Sequence, residues 1–218
     1  MSQEMQPAAS ELSAPEREAR LAELDELRQR VLELELELEG TKPERSWQRR
    51  YYAAYYATTG FMLGMAGAAV SLMMNVIGSL VWVRITGEAQ HPLRLIQVYL
   101  TFPLGEAALG IDSGLALAIG CCLYLATGAA YGMLFQLVLT RFTPQTSLMR
   151  RLAAVSVLST VVWLVNFYGI LIWLQPLLMG GNWIVDLVPW WVAWLTHLVF
   201  GGTMVLLYPL GLYTPYRP

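Results

Sequence analysis

The sequence contains little charge for its length. Of its 218 residues only 14% are Asp, Glu, Lys or Arg, whereas 56% are hydrophobic. A soluble domain usually carries about a quarter charged residues. The first 50 residues hold eight of the 14 basic and twelve of the 16 acidic residues, for a net charge of −4. The composition therefore predicts an acidic tail, residues 1–50, joined to a membrane domain, residues 51–218.

Cysteine and histidine are equally scarce, with two of each. Cys121 and Cys122 are neighbours inside an apolar run, a spacing at which an unstrained disulfide is rare. Small apolar packing residues are the favoured interpretation. The N-terminus is acidic and has no apolar stretch, so we expect no cleavable signal peptide.

Familiar catalytic motifs are also missing. H-E-x-x-H, G-x-S-x-G and a Gly-rich loop followed by Lys-Ser/Thr do not occur. We therefore expect no catalytic residues, no metal site and no cofactor. An enzyme with a site on the outer face is a weak alternative, because the titratable residues of the membrane domain lie mostly in the predicted outer connections. Those in the outer connections are Arg84, Glu88, His91, Arg94, Glu106, Asp112 and Asp186.

Four uncharged segments are long enough to cross a bilayer, which takes about 20 residues. They cover about 56–83, 113–140, 152–174 and 187–210. Hydrocarbon offers no other partner to backbone polar groups, so each segment must be helical. The sequence predicts an all-α, four-helix membrane bundle of unbroken spans.

Basic residues are distributed unevenly between the two sides, and this predicts orientation. Because the number of spans is even, both termini are expected in the cytoplasm, and the cytoplasmic membrane is the expected location. The outer side holds Arg84 and Arg94; the inner side holds Lys42, Arg45, Arg49, Arg50, Arg141, Arg150, Arg151 and Arg217.

The connection between the first two spans contains the segment HPLRLIQVYLTF, residues 91–102. It predicts a short amphipathic helix that begins at Pro92 and ends at Pro103. Leu93, Ile96 and Leu100 share one face. This helix either lies on the outer membrane surface or packs on the rim of the bundle.

Small residues recur every four positions in the first two spans. Gly60 and Gly64 lie in the first, and Gly128 and Gly132 in the second. Lipid removes the hydrophobic drive between helices, so close backbone contact must supply association. We expect these stripes to face neighbouring helices within the bundle.

Three polar side chains interrupt the spans: His197 near the centre of the fourth, Asn166 just outward of the centre of the third, and Asn75 roughly 9 Å outward of the centre of the first. They are predicted to meet in the outer half of the bundle, where Tyr124 or Thr127 could join them. Polar groups within the membrane are either functional or hold helices together. The favoured interpretation is interhelical bonding; a ligand, haem or proton site is the alternative, although a lone histidine argues against a bis-histidine haem.

The tail ends in the stretch VLELELELEG, residues 31–40, whose alternation has the period of a β-strand. The residues before it favour a helix over about 14–39, with Ser13 and Glu16 as a capping box and Gly40 as its end. Apolar residues step by three and four, the spacing of a coiled-coil seam. The following segment, residues 41–50, is expected to bend the chain to the bilayer. The seam consists of Leu24, Leu27, Val31, Leu34 and Leu38.

Together these features predict a non-enzymatic accessory, scaffold or assembly component of a membrane complex. It would sit in the lipid bilayer and bind a protein partner, or a second copy, through residues 14–39. A small transporter or ligand-binding subunit built around the intramembrane polar residues is the alternative. No nucleic-acid partner is expected.

Overall fold

The computed structural model describes residues 14–39, 42–87, 91–143 and 146–213, and every regular element within them is helical. The chain forms two compact units that divide after Tyr51. In chain order the elements are α1 (Ala14–Glu39), α2 (Lys42–Thr86), α3 (Arg94–Leu104), a 3₁₀-helix (Gly105–Gly110), α4 (Gly114–Phe142), α5 (Leu148–Leu164), a π-helical segment (Val165–Leu171), α6 (Ile172–Met179), α7 (Trp183–Leu187), α8 (Trp190–Leu207) and a last 3₁₀-helix (Tyr208–Gly211).

α1 covers residues 14–39, so the helical interpretation of the leucine–glutamate alternation is confirmed. Ala, Leu, Glu and Arg are strong helix formers, and their summed preference outweighs the period-two pattern. Every α1 side chain that the structure describes is exposed. The predicted caps, Ser13 and Gly40, lie outside the described residues.

The bend predicted for residues 41–50 is wrong from Lys42 onward, because α2 begins there and runs 45 residues to Thr86. Pro43 does not prevent this, since proline suits the first turn of a helix.

Four helical stretches are long and apolar enough to cross a membrane, as the sequence predicted. The chain is therefore an all-helical protein with the composition of a multi-pass membrane protein. The stretches are Arg50–Thr86, Gly114–Phe142, Leu148–Met179 and Trp190–Gly211.

The third span differs from the prediction in its length and its regularity. It continues past Leu174 to Met179, where Gly180 adopts the left-handed conformation, with φ of 81°, and ends the helix. Its middle, Val165–Leu171, is π-helical rather than a regular α-helix.

The connection that follows contains a short helix, α7. Pro189 then takes an extended conformation, with ψ of 133°, so the fourth span begins at Trp190 rather than at 187.

α3 also ends later than predicted. Pro103 lies inside the helix, and Gly105, with φ of 65°, ends it. Ile96, Leu100 and the polar Gln97 and Thr101 are all buried. The helix packs against α4, α6 and α7, so both its apolar and its polar side chains contact protein.

The two glycine stripes face each other where α2 meets α4. A Cβ atom on Gly60 would lie 2.7 Å from the Gly132 carbonyl oxygen, and one on Gly64 would lie 2.7 Å from the Gly132 Cα. Gly128 contacts both Gly64 and Ala68. These distances leave no room for a side chain, so the backbones of the two spans are in direct contact.

Candidate functional site

Asn75 joins the first and fourth spans. Its Nδ2 donates to the Thr196 hydroxyl at 3.0 Å and to the Ser71 carbonyl, one turn back on its own helix, at 2.8 Å. The Ser71 hydroxyl in turn lies 3.1 Å from the Tyr124 hydroxyl of α4. A short chain of hydrogen bonds therefore holds α2, α4 and α8 together.

Asn166 joins the second and third spans. Its Oδ1 accepts a hydrogen bond of 2.6 Å from the Tyr131 hydroxyl of α4. Asn166 lies near the start of the π-helical segment, where the regular ladder of backbone hydrogen bonds is shifted by one residue. The Trp173 indole N–H donates to the Gly169 carbonyl at 2.7 Å, which gives one carbonyl of this irregular turn a side-chain partner.

His197 bonds within its own helix. Its Nδ1 donates to the Ala193 carbonyl at 2.7 Å, because a carbonyl oxygen can only accept. The ring stands edge-on to Phe167, with 6.2 Å between centroids. Phe167 follows Asn166 in the chain, so His197 lies beside the π-helical segment.

The three polar residues do not form one bonded cluster among the residues that the structure describes. In the described part of the chain, Asn75, Asn166 and His197 each bond a different partner and none bonds another. Tyr124 does join the group, through Ser71 on the helix of Asn75. Thr127 instead shares a hydrogen bond of 2.6 Å with Tyr99 of α3.

A buried amide outside the predicted site connects the elements at the α3 end of the bundle. Gln175 of α6 is fully buried; its Nε2 donates to the Thr101 hydroxyl at 2.9 Å, and its Oε1 accepts from the Ile184 backbone N–H at 3.0 Å. One side chain thus ties the third span to α3 and α7. The predicted end of the third span leaves Gln175 in a loop, although a lone glutamine beside an apolar run was a usable signal.

Gln97 performs a similar role next to it. Its Nε2 donates to the Ile111 carbonyl at 2.9 Å, and its Oε1 accepts from the Arg94 guanidinium at 3.3 Å. His91, considered for an outer-face active site, accepts a hydrogen bond from the Leu93 N–H at 3.0 Å. Glu88 of that same set lies outside the described residues.

The described residues contain no group of three His, Cys, Asp or Glu side chains close enough together to hold a metal ion.

The seam residues of α1 form an exposed apolar surface. Leu24, Leu27, Val31 and Leu34 are 43–57% exposed. Their spacing of three and four residues places them along one side of the helix. The side chain of Leu38, the fifth seam residue, lies outside those the structure describes.

Comparisons with protein-family models, with curated proteins and with solved structures found no match to this chain.

Proposed function

We propose that this protein is a non-enzymatic assembly component of a membrane complex, and that α1 is the segment that binds its partner. The bundle anchors the chain in the cytoplasmic membrane with both termini on the cytoplasmic side. The eight-to-two distribution of basic residues supports this orientation.

The exposed seam of α1 is the observation that carries the proposal. α1 is not among the helices apolar enough to enter a bilayer, so water surrounds its leucines unless a protein covers them. Fully burying one leucine or valine side chain contributes about 1.5–3 kcal/mol. Four such side chains in a row therefore make solvent exposure costly and partner binding favourable.

The state of the intramembrane polar residues supports a structural role for the bundle. Asn75 and Asn166 each form a hydrogen bond between two spans. Such bonds contribute about 1 kcal/mol or less to helix association. Side chains engaged in this way serve to hold spans together.

Paired glutamine substitutions on α1 test the proposal. Leu27 lies in the seam, and Leu32 lies about 100° around the helix from the seam residue Val31. The two leucines are equally exposed, at 57% and 58%. Full-length protein is purified in mild detergent, and the protein chains that remain bound, including further copies, are identified and quantified. We expect Leu27→Gln to weaken the complex and Leu32→Gln to leave it intact, because only Leu27 faces the partner.

A variant that lacks residues 14–39 should lose the complex altogether while the bundle still inserts in the membrane. The proposal fails if the wild-type chain purifies as a monomer alone, or if both glutamine variants and the deletion retain the complex unchanged.

A small transporter or ligand-binding subunit is the second candidate, and the π-helical segment beside His197 is the observation that favours it. Single π-helical turns within α-helices are frequent at functional sites. Purified protein in liposomes is assayed for the passage of K⁺, Cl⁻ and protons. Flux above that of empty liposomes, lost in His197→Leu, would support this candidate; background rates for all three ions would count against it.

A further inference from the structure

We infer that the partner of α1 is a second copy of this chain, paired with it as a parallel, in-register, two-stranded coiled coil. The inference rests on the proposed function, because it identifies the partner that the seam binds.

The seam has the composition of a parallel dimer. In the heptad abcdefg, Leu24 and Val31 occupy a positions, and Leu27 and Leu34 occupy d positions. Val31, a β-branched residue at a, together with leucine at both d positions favours two parallel strands, whereas the leucines at the other a positions, Leu24 and Leu38, add no such preference. Arg20 occupies the preceding d position, so the apolar seam begins at Leu24.

The charged residues beside the seam complement a second copy. In a parallel pair a g residue of one helix approaches the e residue five positions later on the other. Glu23 is at g and Arg28 at e, so each helix of the pair presents an acid to a base of the other, once on each side. Both residues are exposed.

Further along, the sequence repeats this relation with alternating sign. Arg30 is at g and Glu35 at e, so a base of one helix again meets an acid of the other. Within α1 two of the three g–e pairs are therefore attractive in an in-register parallel dimer, and the remaining pair, Glu16 with Leu21, is not repulsive. A seam meant for an unrelated helix has no reason to be complementary to itself at both charged pairs.

Arg28 and Arg30 are available for this exchange. Arg28 contacts Asp25 at 3.4 Å and Arg30 contacts Glu33 at 2.9 Å, each within its own helix. Both pairs are exposed, and exposed ion pairs contribute little to stability. Either arginine can turn to the other copy at small cost.

An antiparallel pair of the same helices is disfavoured. That arrangement sets g residues against g residues and e residues against e residues. At full overlap it brings the two Arg30 side chains together at the centre, which is a repulsive contact. The charges that attract in the parallel pair then oppose association.

Attachment to the membrane imposes the parallel direction as well. α2, which includes the first span, begins three residues after α1 ends. Because all copies insert in the same orientation, the C-terminal ends of two α1 helices both stay near the same membrane surface. Confinement to that surface also raises the effective concentration of a seam only about two heptads long.

Acidic residues outnumber basic ones on α1, which acts against pairing, but several of them lie away from the seam. Asp25, Glu26 and Glu33 occupy b and c positions. Charges on these outer positions of two helices are separated by more than about 8 Å, the screening distance at physiological salt. Beside the seam Glu23 meets Arg28 and Arg30 meets Glu35, so both of these contacts are attractive.

Cysteine cross-linking in native membranes tests the inference. The full-length chain first receives Cys121→Ala and Cys122→Ala, and then one new cysteine at a time. In a parallel, in-register pair a d residue meets its own counterpart, within the distance a disulfide requires. We expect Leu27→Cys to form a disulfide-linked dimer under mild oxidation.

Leu32→Cys is the matched control, because its native side chain is as exposed as that of Leu27 but lies off the seam. It should cross-link about tenfold more slowly. Equal rates for the two variants would overturn the inference. So would cross-linking of Leu27→Cys only to a copy that carries Val31→Cys, which is the antiparallel result.

Charge reversal gives a second test in the chain with its native cysteines. Two differently tagged copies are expressed together, and one tag is used to capture the other. Glu23→Arg should reduce co-capture about tenfold by setting arginine against Arg28, and adding Arg28→Glu should restore it. Loss of co-capture in the double variant would contradict pairing between identical helices.

These experiments distinguish self-pairing of α1 from binding of a different partner by α1. If no variant cross-links and deletion of residues 14–39 still removes a different bound protein, the self-pairing is wrong and partner binding by α1 stands. If the deletion removes no bound chain of any kind, both are wrong.

Discussion

Exposed leucines occur both on α1 and on the spans, and they have different consequences in the two regions. Leu27 on α1 is 57% exposed, and Leu115 on α4 is 74% exposed. Lipid covers a leucine on the outside of a span, so its exposure to the surroundings is the stable state. Under the proposed function water surrounds α1, and there an exposed leucine belongs to a surface that a partner would stabilise by covering it.

The contacts between helices also differ between the two regions. α2 and α4 meet through glycines, and single hydrogen bonds join other spans. α4, α5 and α8 also pack apolar side chains such as Phe135, Val155 and Met204 together, but lipid would cover those side chains nearly as well. The seam of α1 is made of leucines and valine flanked by charges, because in water apolar burial drives association and charges set its specificity. The surroundings thus determine how much an apolar contact stabilises: little between spans in lipid, and more between helices in water.

The largest expected effect is at the glycine contact. Gly64→Ala would place a Cβ atom 2.7 Å from the Gly132 Cα, so the backbones of α2 and α4 must separate. Overpacking of this kind costs about 1–3 kcal/mol, and we expect the upper end because backbone atoms cannot move aside as a side chain can. The measurement is the free energy of unfolding in detergent, titrated with SDS.

Gly78→Ala is the control on the same helix, because a methyl group at this position would have no other atom within 4 Å apart from its own helix backbone and chain neighbours. It should leave the free energy of unfolding unchanged or raise it slightly, since alanine is the better helix former. Equal losses in the two variants would show that the close contact of α2 with α4 contributes nothing to stability.

The second-largest loss of stability is expected at the buried amide of Gln175. Gln175→Leu removes the acceptor of the Ile184 N–H and leaves that group buried without it; the Thr101 hydroxyl loses one bond but still donates to the Val98 carbonyl at 2.6 Å. An unpartnered buried polar group costs about 1–3 kcal/mol, so we expect a loss of about 2 kcal/mol in the same unfolding titration.

A double-mutant cycle with Thr101→Val separates the two bonds of Gln175. The variant pair should be less destabilised than the sum of the single variants, because both remove the same hydrogen bond. Strict additivity would contradict the bond between Gln175 and Thr101.

A smaller effect is expected at the predicted polar residues of the membrane interior. Asn75→Leu removes one bond between spans, to Thr196 at 3.0 Å. Interhelical bonds in membranes average about 0.6 kcal/mol, so we expect a loss of no more than about 1 kcal/mol, coupled to that of Thr196→Val. A much larger loss of stability would mean that Asn75 does more than join two helices.

The sequence was sufficient to predict the helical class, the four spans and the extent of α1, because hydrophobicity and helix propensity are local properties. It did not predict that Gln175 would bond α3 and α7, since that contact depends on where the chain returns in space. The π-helical segment was missed for the same reason: nothing in residues 165–171 marks the shifted hydrogen bonds apart from a glycine. Depth alone placed Asn75, Asn166 and His197 near one another, but which partner each one bonds depends on helix rotation, and depth does not determine rotation.

The smallest change in the stability of the bundle is expected for a substitution on α1. Such a substitution tests most directly whether leucines have different roles in the two regions. Leu27→Gln changes an exposed side chain in the unit that ends at Tyr51. Substitutions at exposed positions usually alter stability by no more than about 0.5 kcal/mol. We therefore expect the unfolding titration of the bundle in detergent, at a concentration where the chain is monomeric, to be the same as for the wild type. The same variant should lose its partner in the purification experiment. A bundle weakened as much by Leu27→Gln as by Gln175→Leu would mean that the α1 leucines stabilise the membrane domain of their own chain, and the comparison between the two regions would fail.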